Sequence, residues 1–153
     1  MAEEQQPSFQ IEKIYVKDVS LEIPHAPQVF LEAQGPQVEI QVRHEAQQFA
    51  DALYEVTVTV TVTAKAGDKT LFLAEAAQAG IFALRGVPQA EIEPLLAIAC
   101  PTILYPYARE TISDLVTRGG FPPVLLAPVS FEAIYAQRLQ QQSGDGPRIQ
   151  VAN

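Results

Sequence analysis

An α+β domain is the predicted fold, on three observations. Strand-like runs occupy the chain up to Ala79, helical patterning appears only after Val87, and no repeat of 20 to 50 residues or second compositional block interrupts it. At 153 residues one core suffices, and a domain of this size buries roughly two-thirds of the surface its unfolded chain exposes. The hydrophobic fraction of 48% and charged fraction of 18% exclude wholesale disorder. The expected organisation is a flexible start at residues 1–8, a single domain over 9–142 and a flexible, Gly- and Pro-containing end at 143–153.

The first strand is expected over Phe9 to Ile23, with an imperfect two-residue period. Phe9, Ile11, Tyr15, Val19, Leu21 and Ile23 share one parity, and Asp18, Ser20 and Glu22 share the other. Its length suits one long strand or a bulged one. Pro24, Pro27, Gly35 and Pro36 then punctuate a connection that carries the apolar trio Val29, Phe30 and Leu31. Val38, Ile40 and Val42 alternate with polar residues in a short strand, and His44 to Asp51 reads as a polar turn.

From Tyr54 to Thr63 valine and threonine alternate almost without exception, which predicts one core face and one wet face. The turn Lys65 to Lys69, with Gly67, leads into an alanine-rich run over Thr70 to Ala79, so these two runs form an antiparallel hairpin. Past Gly80 the texture changes, and at most a short helix is expected between Val87 and Ala99 because of Pro94 and Pro101. A stronger helix is expected over Tyr105 to Arg118, with Ala108, Ile112, Leu115 and Val116 at helical spacing. Pro106 would lie in its first turn and Gly119-Gly120 at its stop. Ser130 is placed to cap a last helix through about Gln142.

Several chemistries lack their residues. The net charge of −8 argues against nucleic-acid binding and against anionic membranes. No stretch approaches the roughly 20 apolar residues that span a bilayer, and the first residues lack the pattern of a signal peptide, so a cytosolic location without membrane insertion is expected. The lone Cys100 excludes an internal disulfide and reads first as a buried thiol. There is no phosphate-binding loop and no nucleophile elbow. His25 and His44 are not in metal-ligand spacing, so no metal, no cofactor and no enzymatic activity are expected. His25, between two prolines, reads as a loop-surface histidine. Arg109, Glu110 and Asp114 read as a solvated helix face or an interface ion pair.

Four runs stand out: F-Q-I-E-K-I-Y-V-K-D-V-S-L-E-I-P from Phe9, A-P-Q-V-F from Ala26, C-P-T-I-L-Y-P-Y-A-R-E from Cys100 to Glu110, and R-G-G-F-P-P-V-L-L-A-P-V-S-F from Arg118. On these runs the chain resembles the SecB protein-export chaperone family. The resemblance implies a four-stranded antiparallel sheet with a crossover between the first two strands and helices on one face. It also implies a homotetramer built as a dimer of dimers. Tyr105, Tyr107, Ile112 and Leu115 would lie at the seam between dimers, and the Cys100 to Glu110 motif would pack subunits rather than touch clients.

Client binding would fall to Phe30, Val38, Ile40, Val42, Phe121 and Phe131, with ordinary core as the competing assignment for Val38, Ile40 and Val42. The family often has a tryptophan in the crossover where this chain has Gln34. An acidic sheet face at Asp18, Glu22, Leu73 and Glu75 would receive the zinc-bearing tail of SecA, with scattered solubilising charge as the alternative. The implied function is ATP-independent holding of unfolded precursor proteins for SecA. The competing functions are a related chaperone serving another client, such as an antitoxin, and a small-molecule enzyme.

Overall fold

The computed structural model describes residues 6–143. Four strands form one antiparallel sheet: β1 (Ser8–Glu22), β2 (Gln37–Ala50), β3 (Leu53–Ala66) and β4 (Lys69–Arg85), in the order β1-β4-β3-β2. The chain therefore crosses from one edge to the other after β1, through a 3-10 turn at Gln28–Leu31, and returns by two hairpins to pair β4 with β1. The Ala26–Pro27 peptide in this crossover is cis. Ser8 already belongs to β1, and most of the ends expected to be flexible lie outside the described residues.

The valines of β3 make the core face. Val56, Val58, Val60 and Val62 are fully buried in a cluster with Cys100, Leu104, Ala108, Ile112 and Val116, and each such burial contributes about 1.5–3 kcal/mol. The opposite face is not as wet as alternation implied, because Thr57 is 4% and Thr59 9% exposed. Here β4 carries the small Ala77 and Ala79, paired with Thr59 and Thr57. The long side chains of Tyr15 and Lys17 reach from β1 across β4 to Glu55 of β3.

Three boundaries differ from the sequence expectation. The polar run after Arg43 is strand, because β2 pairs with β3 as far as Ala50↔Leu53 and the turn shrinks to Asp51-Ala52. β4 continues through Gly80 to Arg85: this glycine does not end the strand but admits a neighbour, since a Cβ there would come 2.9 Å from the Phe82 ring and 3.0 Å from Leu104. The imperfect period of β1 is explained by two register shifts, between Ile11 and Lys13 and between Val16 and Asp18, each of which reverses the parity of the residues after it.

The helical half also begins earlier than expected. α1 (Gln89–Pro94), a π-helical segment (Leu95–Ala99) and α2 (Cys100–Arg118) follow without a break. Pro101 has no N–H to give to the previous turn, and just ahead of it the Cys100 N–H bonds to the Leu95 carbonyl, which widens the turn instead of ending it. Pro106 lies inside α2, not in its first turn, with its ring on the exposed side where water can satisfy the freed carbonyl. α3 (Phe131–Ser143) starts where Ser130 caps it, the Ala133 N–H donating to the Ser130 hydroxyl at 3.1 Å.

Candidate functional site

On the sheet face turned away from α2, the four residues expected to form an acidic surface come together. Glu22 is directly opposite Leu73, Ser20 opposite Glu75, and Asp18 opposite Ala77. Opposed residues in an antiparallel pair point to the same side, so Asp18, Glu22, Leu73 and Glu75 share this face. Asp18 and Glu22 are exposed, whereas Leu73 and Glu75 are half-buried. The Thr61 hydroxyl donates to Glu75 at 2.7 Å and holds its carboxylate in place.

The aromatic residues of the crossover sit on the helix side. Val29 anchors the 3-10 turn in the core, while Phe30 is 50% and Leu31 86% exposed. Phe30 stacks at 5.3 Å on Phe121, which in turn stacks at 4.8 Å on buried Phe72. Gly120, at φ +91°, lies under the Phe30 ring, where a Cβ would meet it at 3.0 Å.

The other residues expected to meet a client are distributed differently. Val38, Ile40 and Val42 lie on the helix-side face of edge strand β2, opposite Ala64, Val62 and Val60. Val38 and Ile40 are exposed, and Val42 packs partly against the core. Phe131 is 1% exposed at the start of α3, edge-on to His44 and Tyr105, so it supports the fold and offers no open surface. Near it, β2, α1, the π-helical segment and α3 border an open cleft of about 500 Å³ lined by His44, Glu93, Leu96 and Arg138. Burial, helped by the Arg138 charge, holds His44 below its ordinary pKa and so favours its neutral form.

Two residues expected at a subunit seam are instead used inside the subunit. Ile112 is fully buried, and Tyr105 is nearly so, its hydroxyl donating to the Ala127 carbonyl at 2.6 Å. They face the sheet because α2 directs Leu104, Tyr105, Ala108 and Ile112 at the core. Tyr107 remains exposed and Leu115 half-buried.

Comparison with known proteins decides the family. Residues 2–142 match the family model described as preprotein translocase subunit SecB. The chain belongs to the SecB family. Protein-export protein SecB of Methylobacillus flagellatus is 62% identical over 142 residues, covering 93% of this chain and 90% of the relative. Protein-export protein SecB of Dechloromonas aromatica is 56% identical, covering 99% of both chains. Among solved structures, a SecB-like chaperone of Mycobacterium tuberculosis, in complex with a ChAD peptide from an antitoxin, superposes with a TM-score of 0.65 at 21% identity. The match covers 79% of this chain and 90% of that one. It shares the fold, whereas the closely similar sequences are export proteins, so this SecB-family chain is a protein-export chaperone.

Two polar residues that sequence reasoning missed organise the sheet of this chain. Gln78 is 3% exposed, and its Nε2 donates to the Tyr15 carbonyl at 3.1 Å. Glu55 receives the Tyr15 hydroxyl, the Lys17 ammonium and, at 3.5 Å, the Gln47 amide. The Lys17 and Tyr15 hydrogen bonds hold Glu55 below the usual carboxylate range, against the opposing effect of burial. Cys100 is buried, and desolvation pushes its thiol up to about 12, which makes it unreactive at neutral pH. Among the described residues no group of three or more His, Cys, Asp and Glu side chains could hold a metal ion, and no helix is long and apolar enough to cross a membrane.

Proposed function

We propose that this protein is a cytosolic, ATP-independent chaperone that binds unfolded or slowly folding precursor proteins and passes them to SecA. The observation that carries the reading is a set of exposed apolar side chains on the helix side of the sheet: Phe30, which stacks through Phe121 on Phe72, and Val38 and Ile40 on β2, where Val38 lies two strands from Phe72 across Ala64; Leu31 beside Phe30 in the crossover is also exposed. Exposed apolar side chains of this kind are what an unfolded chain can bury and a compact one cannot.

Without a nucleotide motif, release is not driven by ATP, and holding is competition between binding and folding. One buried apolar anchor contributes roughly 1.5–3 kcal/mol, while micromolar affinity needs about 8 kcal/mol after ordering costs. Several anchors must therefore act together. A homotetramer, a dimer of dimers with Tyr107 and Leu115 of α2 available to its seam, would present such anchors from several subunits to one client at high effective concentration. Phe30 and Phe121 form the central anchor, with Val38, Ile40 and Val42 as the flanking row.

The opposite face of the sheet serves the partner. Asp18, Glu22 and Glu75 supply negative charge around Leu73, a surface suited to a basic tail with one apolar contact. The tail is that of SecA, and the zinc is carried by SecA. Separation of the two faces lets a client-loaded chaperone dock without competition. Reversing charge at Asp18 and Glu75, as Asp18→Lys with Glu75→Lys, should abolish SecA binding and leave capture of an unfolded precursor unchanged. Persistent SecA binding would remove the docking assignment.

A further inference from the structure

The acidic face depends on a fault in the alternation of β1. Tyr15 lies on the open face, where its hydroxyl meets Glu55. Strict alternation from Tyr15 would put Val19 and Leu21 on that face and turn Asp18, Ser20 and Glu22 toward the helices. The bulge between Val16 and Asp18, with Lys17 as the extra residue, reverses this: Leu21 packs against the core, and Asp18, Ser20 and Glu22 face outward.

A bulge leaves backbone groups outside the regular ladder, and this one has a dedicated partner. The side chain of Gln78, opposite Val16 on β4, donates to the Tyr15 carbonyl at 3.1 Å from a nearly solvent-free position. Its Oε1 faces the Thr111 hydroxyl of α2 at 3.3 Å, while the same hydroxyl lies 2.9 Å from the Tyr107 carbonyl. The Tyr15 carbonyl can only accept, so it fixes the Nε2 end of the amide toward the strand, while the single Thr111 proton is shared between the nearer Tyr107 carbonyl and Gln78 Oε1. On the other face Lys17 is held by Glu55 at 2.7 Å. The bulge is therefore gripped from both sides of the sheet, and a satisfied buried network of this kind specifies one arrangement over its alternatives.

We infer that Gln78 is a positioning residue for the acidic face: it holds the bulge that aims Asp18, Ser20 and Glu22 outward. Its consequence for SecA rests on the docking reading above, whereas its consequence for strand register does not.

The test replaces Gln78 with methionine, which fills similar space and cannot donate. Hydrogen exchange at the amides of 18–22 should accelerate about tenfold or more while those of β3 and α2 keep their protection. In a Ser20→Cys/Glu75→Cys background, whose opposed positions are within disulfide reach, Gln78→Met should lower the yield of the cross-strand disulfide. The SecA tail peptide should bind several-fold more weakly, with unfolded-precursor capture retained. Unchanged exchange and unchanged disulfide yield would overturn the inference. Altered register with undiminished SecA-tail binding would overturn its functional half and the docking reading, but not the role of Gln78 in the strand.

Gln78→Glu provides a second readout that packing alone would not move. A buried carboxyl donates only when protonated, so protection of 18–22 in that variant should rise as pH falls. Protection independent of pH and equal to that of the wild-type chain would contradict the donor role.

Discussion

Lys17 Nζ lies 2.7 Å from Glu55 Oε1, an ion pair between strands that are not neighbours in the sheet. The other Glu55 oxygen accepts from the Tyr15 hydroxyl, so one half-buried carboxylate ties β1 to β3 across β4. These contacts lower the Glu55 pKa, and a carboxyl whose folded pKa is depressed stabilises the fold most where the unfolded chain is already ionised. The contribution should be complete above the ordinary value of 4.5 and lost as pH falls through the lower folded value. Tyr15 has the opposite sign: burial, then the Glu55 contact, raise it to about 12, so its contribution is complete below 10 and lost as pH rises toward 12. Urea unfolding of Glu55→Gln across pH should show a flatter acid limb than the wild-type chain. Lys17 is 47% exposed, so its share is under about 1 kcal/mol.

Gly80 should tolerate no side chain. With Phe82 at 2.9 Å and Leu104 at 3.0 Å from the site of a Cβ, Gly80→Ala must displace these two tightly packed side chains, at a cost of about 1–3 kcal/mol. The check is the urea midpoint, which should fall with little change in slope. An unchanged midpoint would mean that the Phe82 ring and the Leu104 side chain make room without loss of packing.

Ala52 should be improvable. It occupies the β2–β3 turn at φ 59°, a left-handed conformation, while its carbonyl accepts from the Leu84 N–H at 2.9 Å. An L-residue with a Cβ is disfavoured there by about 1–2 kcal/mol, part of which glycine returns as lost chain entropy. Ala52→Gly should therefore raise the thermal midpoint by a few degrees.

Client affinity and stability should separate at Phe30 and Phe121. Phe30 is half exposed, so Phe30→Ala should weaken capture of an unfolded chain about tenfold, or roughly 1.4 kcal/mol, with little effect on the melting temperature. Phe121 is wedged between Phe30 and buried Phe72, so Phe121→Ala should lower both. Calorimetric titration paired with thermal melts distinguishes the two.

The legible parts of the molecule were those whose signal is local in the chain. The Val/Thr run of β3, the Gly67 hairpin and the Ser130 cap carry their signals within a few residues. The far half of β2 did not, because a polar edge strand has no apolar period to show. The helical start of α2 was hidden by Pro101 and Pro106, whose missing hydrogen bonds are accommodated by a π turn and by exposure. In the acidic face the residue types, their shared parity and the likeness to a family were visible, but the position of the bulge that turns them to the open face was not. Its supports, Gln78 to Tyr15 and Glu55 to Lys17, join residues 63 and 38 positions apart. Likewise, helical spacing alone could not divide Ile112 and Tyr105, spent in the core, from Tyr107, left outside.

Discrimination between unfolded and folded protein without nucleotide is the property on which the chaperone function stands. The most direct measurement follows refolding of a slowly folding precursor as the chaperone concentration is raised, with binding of the same precursor, already folded, measured alongside. The expected result is a refolding rate that falls progressively as the chaperone approaches stoichiometry, and no detectable binding to the folded form. Equal affinity for the folded and unfolded precursor would contradict it.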